Sequence, residues 1–383
     1  MNHYLFKRNV TLSMIAVIVL VLFFVGCSRN EKLKPDGIKI GVALPLTGDL
    51  AAWANRAKNG ILLATEEVNK SRNPKDQFKL IIEDTKSQPS GGVSVINKLI
   101  NVDHVKFIIG DISSGIVLAM APIAETNHVI LLSPAASNPA ITKAGDYIFR
   151  DWPSDVYDGA ALALAAKNEL GAKKVLVFYE DNTYSEGLAE AFKQKASKIG
   201  LQIVGDERIS GQEKDFRSIL ERHKNSASDL VFVAAHPGMS ARLFIQMEET
   251  GMKQIKLGCV AIQGPEFVKA FPDATGIYFT TILLDKKNNP VFREFAQQYR
   301  EKFGQNPDVG AAHAYDALKI FAVAIPNSDT SVEQAKQNLY NLKDFHGATG
   351  TMSFDKNGDV IKPLALMKYE HGKAILVKII KPF

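Results

Sequence analysis

The sequence predicts an α/β fold of two doubly wound, Rossmann-like lobes, and three observations carry that expectation. Short β-branched runs alternate with stretches of helical periodicity, which implies parallel strands crossed over by helices. The same alternation starts afresh near Tyr147, in the second half of the chain. A length of 383 residues, 46% of them hydrophobic, supplies chain for two domains and apolar surface for two cores.

Taken in order, Ile38 to Leu44 reads as the first strand, and Ala57, Ile61, Ala64 and Val68 then share one helical face. Phe78 to Ile82 is a strand, Val93 to Ile100 a helix, and Val105 to Ile109 a buried strand. Gly110-Asp-Ile-Ser-Ser-Gly115 follows, where Ser113 or Ser114 can cap the next helix. A helix N-terminus offers unpaired N–H groups and partial positive charge, so a carboxylate can bind there beside a serine hydroxyl. Val129 to Leu132 repeats the device, with Ser133, Ala135 and Ser137 in the loop beyond it. Two neighbouring strand ends thus face one crevice, where open α/β sheets bind ligands.

In the second half, Tyr147 to Arg150 leads to a helix over Asp158 to Glu169, a strand over Val175 to Tyr179 and a helix carrying Leu188, Phe192 and Ile199. Leu201 to Val204, Leu230 to Ala234, Ile255 to Cys259 and Ile277 to Thr281 add strands. After the turn-rich Asp285 to Pro290, helices dominate: Val291 to Phe303, Gly310 to Ala324 and Val332 to Leu342. They bring too few strands for a third domain, so they are expected to return and cover the first sheet. Leu364 to Tyr369 and Ala374 to Ile380 read as a hairpin turning at His371-Gly372.

Lys7 and Arg8 precede an apolar run from Met14 to Val25 that closes on Val25-Gly26-Cys27. The run falls short of the ~20 residues that span a bilayer and reads as a signal peptide over residues 1–26, with lipid on Cys27 and a polar tether over 27–37. Lipidation leaves Cys259 without a disulfide partner, and its apolar surroundings make it a small buried hydrophobe. The formal net charge of +5, with Lys7 and Arg8 in the signal, and the scattered lysines give no footprint for nucleic acid. There is no glycine-rich phosphate loop, no nucleophile elbow, no paired-histidine motif and no zinc spacing, so no enzyme activity, cofactor or metal is expected. Asp355-Lys-Asn-Gly-Asp359 reads as a tight turn rather than a calcium loop.

Gly110-Asp-Ile-Ser-Ser114 together with Ser133-Pro-Ala-Ala-Ser-Asn-Pro139 resembles the ligand loops of the Leu/Ile/Val-binding proteins, the type I periplasmic solute-binding family of ABC transporters. Gly41-Val-Ala-Leu-Pro-Leu-Thr-Gly48, Trp53, Tyr184-Ser-Glu-Gly-Leu188, Lys214-Asp-Phe216, Ala314-Tyr-Asp-Ala317 and Phe354-Asp-Lys-Asn-Gly358 are similar to family segments in the same order. The resemblance implies two lobes joined by a multi-crossover hinge, with crossings near Trp152, Leu283 and Met352. Residues 38–152 with 284–352 would form one lobe, and 153–283 with 353–383 the other. It implies an exported, membrane-anchored protein that hands a small solute to an ABC permease.

Carried over residue by residue, Ser114 and Ser137, with backbone at Ile112 and Ala135 and the adjoining Ser113 and Ala136, would hold an α-carboxylate. Trp53, in the loop from Gly48 to Ala54, would wall the pocket from the first lobe, and Tyr184 and His236 would face it from the second. Family members that bind amino acids use an acid after the strand matching Ile255 to Cys259, but here the chain reads Cys259-Val-Ala-Ile-Gln263. A buried ammonium needs a negative partner. Either Asp111, Glu180 or Asp181 supplies it, or the solute is not a standard α-amino acid. Asp155 lies near the cleft by resemblance and reads as a helix cap before Val156; Asp316 reads as a helix-packing residue. The expected solute is a branched-chain or other hydrophobic amino acid, with an amide or an aromatic carboxylate as the alternative. An envelope sensor or regulatory lipoprotein of the same fold is the rival role.

Overall fold

A computed structural model describes residues 37–285 and 287–381. The expected signal segment, Cys27 with its expected lipid and all but the last residue of the expected tether lie outside the described residues. Strand β1 (Ile38–Leu44) leads through α1 (Ala51–Ser71) to β2 (Phe78–Asp84), and α2 (Pro89–Asn101) leads to β3 (Phe107–Gly110). Helix α3 (Ser114–Thr126), β4 (Ile130–Ser133) and β5 (Ile148–Arg150) complete a five-stranded sheet ordered β2-β1-β3-β4-β5, parallel throughout. The winding reverses between β1 and β3, so the loops leaving those two strands diverge and leave a crevice.

Helix α4 (Asp155–Asn168), β6 (Lys174–Glu180), α5 (Thr183–Ile199), β7 (Gln202–Ile209) and α6 (Arg217–Lys224) open the second lobe. It continues through β8 (Leu230–Ala234), α7 (Pro237–Glu249), β9 (Ile255–Leu257), α8 (Pro265–Ala270) and β10 (Ile277–Thr281). Here the winding reverses between β6 and β8, which places the ends of Glu180 and Ala234 on either side of a second crevice.

Helices α9 (Pro290–Phe303), α10 (Val309–Ala324) and α11 (Val332–Tyr340) then return to the first lobe, where Phe292, Phe295, Leu318, Phe321 and Leu339 are buried in one core with β1 and β3. A small hairpin, β11 (Phe345–Gly347) and β12 (Gly350–Met352), precedes β13 (Leu364–Glu370) and β14 (Lys373–Ile380). β13 pairs antiparallel with β10, giving the second sheet the order β14-β13-β10-β9-β8-β6-β7. The turn at His371 and Gly372 has positive φ at both residues, the geometry a two-residue hairpin loop requires.

The chain therefore passes between the sheets after Arg150, after Thr281 and after Met352. Charge is buried beside those passages. Asp151 accepts from Lys362 Nζ at 2.8 Å and faces His313 Nδ1 at 3.1 Å, while Lys362 also donates to Thr349 Oγ1 at 2.6 Å. Burial, reinforced by the Lys362 charge, pulls the His313 pKa down to about 4, so its ring is neutral. Asp316 lies inside α10 as expected and ties it to the hairpin, accepting from the N–H groups of Ala348 and Thr349.

Several elements differ from the sequence expectation. α4 begins at Asp155 rather than Asp158, because Ser154 supplies its N-cap. β9 stops at Leu257, and Cys259 instead precedes a 3-10 turn over Val260–Gln263. Helices α6, α7 and α8 and the β11–β12 hairpin had no counterpart in the sequence reading.

Candidate functional site

The first lobe builds its half of the site from the loops leaving β3 and β4. Gly110 ends β3 with φ +141, and a Cβ there would lie 2.0 Å from the Ala43 carbonyl oxygen, so only glycine allows the chain to turn this close to β1. Asp111 follows and is fully buried; its carboxylate accepts from Thr85 Oγ1 at 2.6 Å and from the Ser113 N–H at 2.8 Å. Burial pushes its pKa up to about 7. Asp111, offered by the sequence as an ammonium partner, thus braces the loop through Thr85 and Ser113. Ser133 donates to the Asp111 carbonyl at 2.7 Å and accepts from Ala136 N–H at 2.9 Å, so the two loops move as one.

The serines do not cap in the expected way. Ser113 occupies the N-cap position of α3, but its hydroxyl makes no capping bond. Ser114 Oγ accepts from the N–H groups of Ser137 at 3.3 Å and Asn138 at 3.2 Å. A hydroxyl that accepts twice keeps its own proton to donate, and the first N–H groups of α3 have no helical acceptors. Ile112, Ser114, Ala135, Ala136 and Ser137 are all buried around this corner. Arg150, fully buried, holds the corner in shape: Nη1 donates to the carbonyls of Ser137 and Asn138, both at 2.9 Å, and Nε to Asp359 Oδ1 at 2.6 Å. Sequence reasoning missed Arg150, whose partner Asp359 sits in the tight turn past β12.

Asp155 is the residue whose role changes most. Ser154, not Asp155, caps α4 by accepting from Val156 N–H at 3.3 Å. The Asp155 carboxylate turns inward instead and accepts from Ser137 Oγ at 3.0 Å. It is 1% exposed and forms no ion pair among the described residues. Burial, and then the neighbouring Asp158, push its pKa well above the usual carboxylate range. Asp158, one turn on, accepts from Thr280 Oγ1 at 2.6 Å, and burial raises its pKa to about 6.

From the second lobe, Tyr184 stands in the first turn of α5 and donates from its hydroxyl to Cys259 Sγ at 3.3 Å. Burial, and then the neighbouring Cys259 and Asp155, raise the Tyr184 phenol well above its usual range. Burial also pushes the Cys259 thiol up to about 11, an inert group. His236 precedes α7 with its ring 6.0 Å from that of Tyr184 and its Nδ1 3.0 Å from Glu180 Oε2. Burial would raise Glu180, but the hydrogen bonds and charge of His236 outweigh it and hold the carboxyl low. Asp181, the other acid expected near an ammonium, is exposed and pairs with Arg208 at 2.6 Å. Asn138 Nδ2 donates to the Thr183 carbonyl at 2.6 Å, joining the two halves.

Trp53 lies in the first turn of α1 rather than in a loop. Its indole rests on α10: a Cβ on Gly310 would fall 1.9 Å from Trp53 Nε1. Its ring is edge-on to Trp152 at 6.4 Å, and Trp152 in turn lies 4.6 Å from the His313 ring. In sequence Gly310 marks only a helix start; in the fold it is the seat for Trp53. No group of three or more His, Cys, Asp or Glu side chains suited to a metal occurs among the described residues. An open hollow lined by Leu62, Glu66, Lys70 and Leu80 lies between α1 and β2, apart from both sets of loops.

Comparison with known proteins shows the fold and the family. The "Leu/Ile/Val-binding protein homolog 3" of Brucella melitensis is 27% identical over 345 residues, covering 88% of this chain and 93% of that protein. The leucine-binding protein LivK of Thermotoga maritima superposes with a TM-score of 0.83 at 29% identity, covering 90% of this chain and 99% of its own. LivJ of Streptococcus pneumoniae, a branched-chain amino acid transporter substrate-binding protein solved with isoleucine, gives 0.83 at 28% identity, over 91% and 100% of the two chains. Residues 37–374 match the family described as periplasmic binding protein, and the chain belongs to that family.

Proposed function

We propose that this protein is the exported solute-binding component of an ABC importer and that it captures a branched-chain or other hydrophobic α-amino acid between its lobes. The observation that supports the reading is the juxtaposition of Ser114, Ser137 and Asp155: donors for a carboxylate stand next to a buried carboxyl with no cation of its own. The α-carboxylate would accept from the Ser114 hydroxyl and the first N–H groups of α3, with main chain at Ile112, Ser113, Ala135 and Ala136 shaping the corner. The ammonium would face Asp155, whose burial is unfavourable for a lone negative charge and favourable once a cation arrives. Trp53 forms the apolar wall, and Tyr184 and His236, the latter oriented by Glu180, close over the side chain. The moving bodies are residues 38–152 with 284–352 and residues 153–283 with 353–383, hinged at the three passages. Lipid on Cys27 would hold the protein at the membrane face where its permease works, and the solute leaves unaltered.

Protein lacking residues 1–26, titrated by thermal shift with leucine, isoleucine, valine, amides and benzoate, tests this. A specific solute at about 100 times its Kd adds about 2.7 kcal/mol to stability. Ser114→Ala or Ser137→Ala is expected to abolish the leucine response, and Asp155→Asn to abolish it for amino acids. A full response to leucine in all three variants overturns the site. The absence of an acid between Cys259 and Gln263 favours one second reading, an aromatic carboxylate; there benzoate, not leucine, shifts the transition and Asp155→Asn still responds. Loss of leucine uptake on deleting the gene separates transport from a sensor role.

A further inference from the structure

The Arg56–Glu266 ion pair spans the lobes and involves none of the residues of the Ser114–Ser137 corner. Arg56 lies on α1, one turn after Trp53, and its side chain is 12% exposed. Its Nε donates to Asp308 Oδ2 at 2.5 Å, and Asp308 is anchored in turn as the N-cap of α10, accepting from Ala311 N–H at 2.8 Å. Tyr299 Oη donates to the Arg56 carbonyl at 3.2 Å, so the base of the side chain is tied down as well. All of these groups belong to the first lobe.

The remaining face of the guanidinium meets Glu266 in a bidentate pair, Nη1 to Oε1 at 2.7 Å and Nη2 to Oε2 at 3.1 Å. Glu266 belongs to the other lobe. It stands in the first turn of α8, whose Phe267 is fully buried in the second core and stacks on Tyr369 at 5.3 Å. At this point the two lobes meet through a planar cation, fixed in advance by the lobe that carries it.

We propose that Arg56 and Glu266 form a latch that holds the lobes closed over a bound solute and sets how long the solute stays. The inference rests on the solute-binding reading above and adds to it a residue pair that touches no solute. A fork-to-fork pair needs both partners in one plane, so it forms only near the closed geometry and breaks on opening. Asp308 keeps the guanidinium oriented in either state, which removes most of the ordering cost from closure. Glu266 is 37% exposed in its side chain, so its pairing responds to salt.

The test compares wild type, Glu266→Gln and Glu266→Arg, all lacking residues 1–26, with Arg56→Lys as the variant that keeps charge and loses the fork. Leucine dissociation is followed by stopped flow on the fluorescence of Trp53 and Trp152, the two tryptophans of the chain. The dissociation rate is expected to rise about three- to tenfold in Glu266→Gln and further in Glu266→Arg, with association changed by less than about twofold. Wild type should release faster as sodium chloride rises from about 0.05 to about 1 M, while Glu266→Gln should be flat. Equal dissociation rates in all four proteins, insensitive to salt, overturn the latch. Should leucine fail to bind even wild type, the solute reading fails alone; small-angle scattering of the solute-free proteins then decides. A larger radius of gyration for Glu266→Arg than for wild type supports the latch, and identical curves sink it.

Discussion

Asp111 and Asp155 are both carboxyls without access to solvent, and their hydrogen-bond partners assign them different work. The Asp111 carboxylate accepts from a hydroxyl and a main-chain donor, whereas the Asp155 carboxylate accepts from the Ser137 hydroxyl alone. Asp111 titrates near 7 when folded and near 3.9 unfolded, so the folded protein holds that proton more tightly. Its contribution is therefore neutral below about pH 4, and stability falls as pH rises to about 7. Asp111→Asn keeps the shape and removes this slope: urea unfolding from about pH 4 to about pH 8 should show the variant gaining on wild type by of order 3 kcal/mol. A constant gap between the two proteins would show that Asp111 does not titrate in this window. At Gly310, alanine should displace the Trp53 indole, costing about 1–3 kcal/mol and shifting the tryptophan emission. Ser114 and Ser137 were legible in sequence because serine after a buried strand and before a helix carries its own geometry. Asp155 is visible in sequence but reads as a cap, since a capping and a buried carboxylate look alike until the neighbouring Ser154 is seen to cap. Arg150 could not be found that way, because Asp359 lies 209 residues off.

The elements found from sequence are those whose periodicity is unambiguous, such as β1, β8 and β10, which keep their expected limits. α7 escaped because its apolar residues surround it: Met239, Ala241, Leu243, Phe244 and Met247 are all buried, and Pro237-Gly238 reads as a turn. The terminal hairpin shows how one element is fastened. Tyr369 in β13 stacks on Phe267 at 5.3 Å and Phe279 at 5.0 Å, and its hydroxyl donates to the Ile262 carbonyl at 2.7 Å. Tyr369→Ala should therefore cost about 3–5 kcal/mol in denaturant unfolding. Hydrogen exchange should localise the loss to β13, β10 and α8 rather than to the first sheet. Uniform loss of protection across both sheets would mean that the lobes unfold as one unit.

At the scale of the molecule, the loops beyond β4 and β6 meet at Asn138 and Thr183, and charge is buried where the chain passes between the sheets. Lys362 pairs with Asp151 at 2.8 Å with both side chains at most 1% exposed, so Lys362→Met strands a buried carboxylate and should cost about 3–5 kcal/mol. A change below about 1 kcal/mol in urea unfolding would show that water reaches Asp151. Leucine should also contract the particle in solution scattering, as closure of two lobes requires. By itself the sequence determined the alternation of strand and helix, the order of family-like segments and the two serine loops, because these depend on side-chain period and on helix ends that are local in the chain. Only the tertiary structure decided which acid Ser137 bonds, what Trp53 leans on and where Arg56 finds Glu266. Those choices are distances between residues brought together by folding, and periodicity along the chain carries no record of them.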